Sequence, residues 1–135
     1  YVIGYCHLRA EIRTFSLARI VAAQPGKDRF SLPEDFDYRQ LSGSHFGVHW
    51  GREEVEVRIR FARQAAPYIQ ERQWHPSQRI EVQEDGSLVL SLRVNHLLEL
   101  KRWIMSWGVQ AKVLEPASLV AEMRQMAQQM APLYG

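Results

Sequence analysis

The chain has 135 residues, enough for one domain or two small ones. Hydrophobic residues make up 46% of it and charged residues 24%, values that allow a packed core and are typical of globular domains. The formal net charge of +2 is too small for a general nucleic-acid binder. The lone cysteine, Cys6, excludes an intramolecular disulfide and fits a reducing cytoplasm. No apolar run reaches the roughly 18 residues of a membrane span, so we expect no membrane partner.

The first twenty residues predict two β-strands joined by a short polar turn. Alternation places Tyr1, Ile3, Tyr5 and His7 on one face of the first strand, and the second strand is expected over 12–20. Three arginines against the single carboxylate of Glu11 give this segment a charge of +2. Guanidinium groups pair with phosphate or carboxylate through two hydrogen bonds at once. The segment therefore predicts an anion site, with a ring stacked on Tyr5, although an ordinary solvated strand surface carries the same residues. The candidate ligand-binding residues are Tyr5, His7, Arg9, Arg13 and Arg19.

The same residues carry a family resemblance. Gly4-Tyr5-Cys6-His7-Leu8-Arg9, then Arg13-x-Phe15 and Leu17-x-Arg19-Ile20, is similar to the core of the WYL domain, a regulatory module of bacterial transcription factors. Ser16 and Ala18 stand where that family usually has a basic and an acidic residue. The resemblance implies that residues 1–24 are the last strands of a small SH3-like or Sm-like barrel. It also implies a nucleic-acid or nucleotide-like effector held by basic residues on these strands.

Because the chain opens inside a strand, we expect it to be a fragment of a longer protein. The remaining barrel strands would come from before Tyr1 or from another chain. By resemblance, a helix-turn-helix that binds DNA would also precede Tyr1. The rest of the chain resembles the extension that follows WYL domains.

Residues 25–52 are predicted to be a linker, because Pro25-Gly26 and Pro33 interrupt regular structure. Residues 53–135 are predicted to be a second domain. Its expected elements are strands over 55–61, 79–83, 88–94 and 109–114, and helices over 62–72, 96–106 and 116–130. The order β-α-β-β-α-β, then one more helix, is ferredoxin-like. The predicted fold class is therefore α+β: a partial SH3/Sm-like β-barrel followed by a ferredoxin-like βαββαβ(α) domain. Such a sheet has one face covered by helices and one face open for a partner.

Local signals set the expected boundaries within the second domain. Glu84-Asp85-Gly86 predicts a hairpin turn, Asn95 an N-cap and Gly108 a helix end. The last helix shows apolar residues at helical spacing, namely Leu119, Met123, Met126 and Met130. Trp103 and Trp107 share a helix face, which fits either a core position or a dimer contact.

Other chemistry-bearing residues give no catalytic group. Cys6 and His7 are strand neighbours that point to opposite faces, so Cys6 is expected to be a structural thiol in a core. His45 and His49 have a helical metal-ligand spacing, but the surrounding glycines argue against a helix there, and no metal is expected. Trp74 is expected beneath the sheet edge, with a stacked base as the alternative. Neither a glycine-rich phosphate loop nor a tuned carboxylate pair is present, so we expect no cofactor and no enzyme activity.

The sequence thus predicts a cytoplasmic effector-sensing and oligomerisation region of a helix-turn-helix regulator. A ligand on the arginine strands would shift the arrangement of two protomers in a dimer, and so of two DNA-reading heads. The alternative is a small-metabolite binding module in which the ferredoxin-like domain holds the effector. The salt dependence of ligand binding separates these two hypotheses. Phosphate contacts release counterions, so binding of a nucleic acid weakens as salt rises, whereas an uncharged ligand releases none.

Overall fold

The computed structural model describes residues 1–32, 34, 36–37 and 53–135. Within these ranges the chain has an α+β architecture with two separate antiparallel sheets, which confirms the predicted fold class. The elements are β1 Val2–Cys6, β2 Glu11–Phe15, β3 Val55–Phe61, α1 Ala66–Gln70, β4 Arg79–Val82, β5 Leu88–Val94, α2 Leu98–Ser106, β6 Ala111–Glu115 and α3 Ala117–Met130. The structure does not describe His45 and His49, the two histidines with a metal-ligand spacing. Most of the predicted linker over 25–52 also lies outside the described residues.

The second sheet has the order β4-β5-β3-β6. If β3 is numbered as the first strand of this sheet, the strand order is 2-3-1-4. All three neighbouring pairs are antiparallel. Two helices, α1 and α2, connect the strands in the predicted β-α-β-β-α-β order, and α3 follows. We call residues 53–135 the ferredoxin-like unit.

The core of this unit follows from the alternation in β3. Val57, Ile59 and Phe61 are fully buried, while the arginines between them lie on the opposite face. The neighbouring central strand β5 is apolar at nearly every position, and it is buried on both faces. Each buried aliphatic or aromatic side chain contributes on the order of 1.5–3 kcal/mol. The two central strands therefore supply half of the buried hydrophobic residues in the described part of the chain.

Two helix starts differ from the sequence expectation. Helix α1 begins at Ala66 rather than at residue 62, because Pro67 lacks the N–H that an earlier start would require. Helix α2 begins at Leu98 with Leu97 as its N-cap residue and no side-chain cap, so the prediction of Asn95 as N-cap was wrong. Its end agrees with the prediction, since Gly108 follows Trp107 with a φ of +55°.

Four aromatic rings pack on the helix side of the sheet. Phe61 meets Trp103 and Trp107 with ring centroids 5.5 and 5.7 Å apart. Trp74 meets Trp103 at 4.8 Å and donates its indole N–H to the Ile69 carbonyl at 3.0 Å. Trp103 of α2 and Trp107, which follows the helix, are thus partly buried against the core. Trp74 is only 6% exposed, which leaves no ring face for a stacked base.

The N-terminal strands, β1 and β2, form a hairpin whose bounds correct the sequence expectation. Strand β2 ends at Phe15 rather than continuing to residue 20, and a 3₁₀ turn over Leu17–Arg19 follows. No side chain in residues 1–32 is fully buried. Cys6 was expected in a core, but it is only half-buried, and Val2 on the same face of β1 is exposed, so the predicted core around Cys6 is not found.

Candidate functional site

The register of the hairpin assigns each candidate residue to a face. Arg13 pairs with Gly4, Tyr5 pairs with Ile12, and Cys6 pairs with Glu11. Directly paired residues of an antiparallel ladder share a face, and faces alternate along each strand. Arg13 and Glu11 therefore lie on one face of the hairpin, and Tyr5 lies on the other.

Arg13 is already engaged by a carboxylate. Its Nη1 lies 2.8 Å from the Glu11 Oε1, and both side chains are about half exposed. Gly4, opposite Arg13, has no atom within 4 Å of the position that a Cβ would occupy, so the surface beside the guanidinium is open. An exposed ion pair of this kind contributes only about 0.2–1 kcal/mol. Glu11 therefore holds the Arg13 side chain only weakly. The spacing of two residues along one strand was the sequence signal for this pair.

Tyr5 and His7 form an aromatic pair. Their rings meet edge to face with centroids 5.1 Å apart. Tyr5 is exposed, and so is His7. The pair presents ring surface and an imidazole on the face opposite Arg13. Cys6 lies on the other face from this imidazole, as the alternation of the strand predicts, so the two do not form a nucleophile and base.

Arg9 and Arg19 lie outside the strands. Arg9 is in the turn, where its backbone N–H donates to the Cys6 carbonyl at 3.1 Å and the following Ala10 has a φ of +53°. Arg19 ends the 3₁₀ turn after β2. The strand expected over 12–20 therefore ends before Arg19, so Arg13 and Arg19 do not lie on one strand. All three arginines are exposed, and the structure distributes the five candidate residues over the two faces, the turn and the segment after β2.

A second cationic surface covers the open face of the four-stranded sheet. It borders a cavity of about 610 Å³ that Arg58, Arg60 and Val89 help to line. Three arginines on this face are matched by carboxylates. The pairs are Arg58 with Glu115 at 3.3 Å, Arg79 with Glu56 at 3.1 Å, and Arg60 with Asp85. These three pairs form a lattice of ion pairs on the surface.

Asp85 is fixed at the edge of this lattice. Hydrogen bonds from the hydroxyl and backbone N–H of Ser87, followed by the charge of Arg60, lower the pKa of the Asp85 carboxyl. Ser87 Oγ also accepts a hydrogen bond from Arg60 Nε at 3.1 Å. Asp85 therefore stays ionised and keeps Arg60 engaged in the β4–β5 turn.

His75 stabilises the loop before β4. Its Nδ1 accepts the Ser77 N–H at 3.1 Å, and Ser77 Oγ bonds both backbone groups of Arg93. Burial lowers the pKa of His75, and the nearby Glu54 charge opposes that effect. The contacts connect a loop to the end of β5, which is a structural role that the sequence analysis missed.

Within the described ranges, no cluster of three or more metal-ligating side chains occurs. No helix among the described residues is long and apolar enough to cross a membrane.

Comparison with protein families defines the class of this chain. A WCX domain model matches residues 53–131, and a WYL domain model matches residues 1–25. The WCX match covers more than half of the chain, so the chain belongs to the WCX domain family. The two matches confirm the resemblance to the C-terminal part of WYL-domain regulators.

Among solved structures, the chain is similar to proteasome accessory factor B/C (PafBC) of Arthrobacter aurescens, at 24% identity and a TM-score of 0.51. The similarity covers 98% of this chain but 20% of PafBC, so the chain spans about a fifth of that protein's length. This likeness supports the fold. No curated protein matches the chain.

Proposed function

We propose that the chain is the effector-sensing and oligomerisation region of a bacterial helix-turn-helix regulator, and that it has no enzyme activity. The hairpin of residues 1–20 binds a single-stranded nucleic acid or nucleotide-like anion. The observation that carries this proposal is the excess of exposed cations on the hairpin. Arg9, Arg13 and Arg19 face solvent there, with only Glu11 as an opposing carboxylate. The WYL match over the same residues supports a regulatory role.

The split over two faces favours an extended ligand. Arg13 lies on one face, and the Tyr5–His7 pair lies on the other. A compact mononucleotide contacts one of these sets at a time. A short oligonucleotide can pass around the turn, place phosphates at Arg9 and Arg13, and stack one base on Tyr5. Stacking of a base on an aromatic ring contributes about 1–3 kcal/mol, whatever the base.

The test is a titration with a fluorescent single-stranded oligonucleotide of about ten nucleotides, at two salt concentrations. A hydrogen bond to a charged group contributes roughly 1.5–3 kcal/mol, so Arg13→Ala weakens binding about ten- to a hundredfold. The matched control is Arg102→Ala, an exposed arginine of α2, which leaves binding unchanged. Three phosphate contacts give a slope of log K against log salt of about −2. Equal binding by Arg13→Ala and the parent at the same salt contradicts the proposal.

The hairpin also supports dimer formation. In a two-stranded sheet, β1 and β2 each pair on one side only within the described residues. Unpaired strand edges recruit other strands. Tyr1, Leu8 and Val21 add exposed apolar surface to the same segment. We propose that these edges pair with a second copy, and that the effector shifts the arrangement of two DNA-reading heads in the whole regulator. Sedimentation of the chain as a monomer at all concentrations contradicts the dimer.

A further inference from the structure

An apolar groove runs beside the last helix, on the opposite end of the chain from the arginine hairpin. It lies between α3, β6 and the turn after α2, and its volume is about 610 Å³. Ile104 and Val113, both buried, help to line it. A volume of roughly 300–1,000 Å³ is typical of small-molecule sites.

Helix α3 leaves this groove unfilled because only the N-terminal part of the helix packs against the core. Leu119 is fully buried, and Val120 and Met123 pack against the core. Further along the helix, the groove is lined by Ala127, which has a small side chain, and by Met130, which is 40% exposed. Methionine side chains are flexible and fit irregular apolar ligands.

One cation of α3, Arg124, borders the groove, and no carboxylate lines it. Lys112 of β6 also touches the border, but it pairs with Arg60 across the sheet and therefore lies on the open face of the sheet, opposite the buried Val113. In the described part of the chain, neither cation forms an ion pair. Nearby Lys101 differs, since its Nζ lies 2.6 Å from the Glu122 carboxylate. The groove thus combines an apolar body with one unmatched positive charge, that of Arg124, at its border.

From this combination we propose a second ligand site, which takes a small amphipathic carboxylate: an apolar chain or ring in the groove and the carboxylate at Arg124. This site lies beyond the proposed oligonucleotide site and shares no residue with it. It gives the ferredoxin-like unit a ligand surface of its own, in agreement with the small-metabolite alternative that the sequence left open.

The experiment measures binding of dodecanoate to the full chain by calorimetry, with dodecanol as the uncharged probe. We expect saturable binding of dodecanoate, and binding of dodecanol at least about tenfold weaker. Ala127→Trp fills the groove from an exposed position and removes binding. The matched control is Gln128→Trp, the next residue of α3 outside the lining, which changes binding by less than about twofold.

Charge variants test the head group. Arg124→Gln weakens dodecanoate binding about three- to tenfold, while Arg102→Gln does not. Arg13→Ala leaves dodecanoate binding unchanged, which separates this site from the hairpin. The unfolding midpoint of each variant checks that it folds. Three results overturn the proposal: no saturable binding, equal binding by Ala127→Trp, or a dimer of the parent that Ala127→Trp dissociates, which would show that a second copy occupies the groove.

Discussion

In the ferredoxin-like unit, every second residue of β3 from Val57 to Phe61 is fully buried, whereas the hairpin of residues 1–20 buries no side chain completely. Both segments alternate apolar and polar residues. The difference is that β3 has a strand on each side and helices on one face, while β1 and β2 pair only with each other. Alternation predicts a strand in both cases, but burial depends on the layers packed against it. The hairpin therefore leaves more of its side chains exposed to solvent than β3 does.

The largest test of this comparison uses two phenylalanines. Phe61 is 0% exposed and contacts two tryptophan rings, while Phe15 of β2 is 38% exposed. Phe61→Ala lowers the free energy of unfolding by about 3–5 kcal/mol, because it opens a cavity in the core. Phe15→Ala lowers it by less than about 1 kcal/mol. Urea denaturation of both variants measures the difference, and similar losses would mean that the hairpin has a core of its own.

Two glycines sharpen the comparison at the level of the backbone. Gly86, in the β4–β5 turn, has a φ of +81°, and an added Cβ would lie 3.0 Å from the Arg63 Cγ. Gly86→Ala therefore costs about 1–2 kcal/mol. Gly4 in β1 has an ordinary strand conformation and open space, so Gly4→Ala stays within about 0.5 kcal/mol. Thermal unfolding of the two variants gives the ranking, and a larger loss at Gly4 would contradict it.

The sequence predicted the ferredoxin-like unit well because burial and turn chemistry agree there. Leu88–Val94 has the predicted bounds, and the Glu84-Asp85-Gly86 turn and the Gly108 helix end lie where expected. The predicted start of α1 at residue 62 was wrong because it was based on the apolar pattern and did not take account of Pro67. A proline fits only in the first turn of a helix, so the helix begins at Ala66. In the hairpin, alternation continued past Phe15, yet no packed layer holds the chain extended there, so β2 ends early.

The candidate site was less predictable than the fold. The amino-acid types alone pointed to Arg9, Arg13 and Arg19 as candidate ligand-binding residues. The placement of each arginine in the hairpin, however, depends on where β2 ends and on the conformation of the turn. The Arg13–Glu11 pair was not predicted, although the two residues are spaced to share one face of a strand. The groove beside α3 had no signal in the sequence, since it arises from a helix that is anchored at one end only.

A smaller expected effect is a loss of stability at acidic pH that arises from His75. Burial lowers the pKa of His75 below its ordinary value of 6.5. In the unfolded chain this imidazole takes up a proton near pH 6.5, while in the folded chain it resists protonation. The unfolded state therefore binds more protons in this range, and the free energy of unfolding falls as pH drops below about 6.5. The loss continues through the lowered pKa of the folded state.

His75→Asn isolates this contribution, because the amide oxygen can accept the Ser77 N–H without titrating. Denaturant midpoints at several pH values between about 7 and 5 should show a shallower decline for the variant than for the parent. An unchanged decline would assign the pH dependence to other groups. The hairpin has no comparable buried contact, so the effect belongs to the loop before β4.

The smallest expected effect returns to the hairpin and to its proposed ligand. Glu11→Gln removes the carboxylate 2.8 Å from Arg13 and frees the guanidinium for an external anion. Because an exposed ion pair contributes only about 0.2–1 kcal/mol, oligonucleotide affinity should rise by about two- to fivefold. Glu99→Gln removes the same charge from an exposed position of α2 and is the matched control. A rise with Glu11→Gln alone, which diminishes as salt increases, places the anion at Arg13. An equal rise with both variants would show that net charge, rather than the hairpin site, governs the affinity.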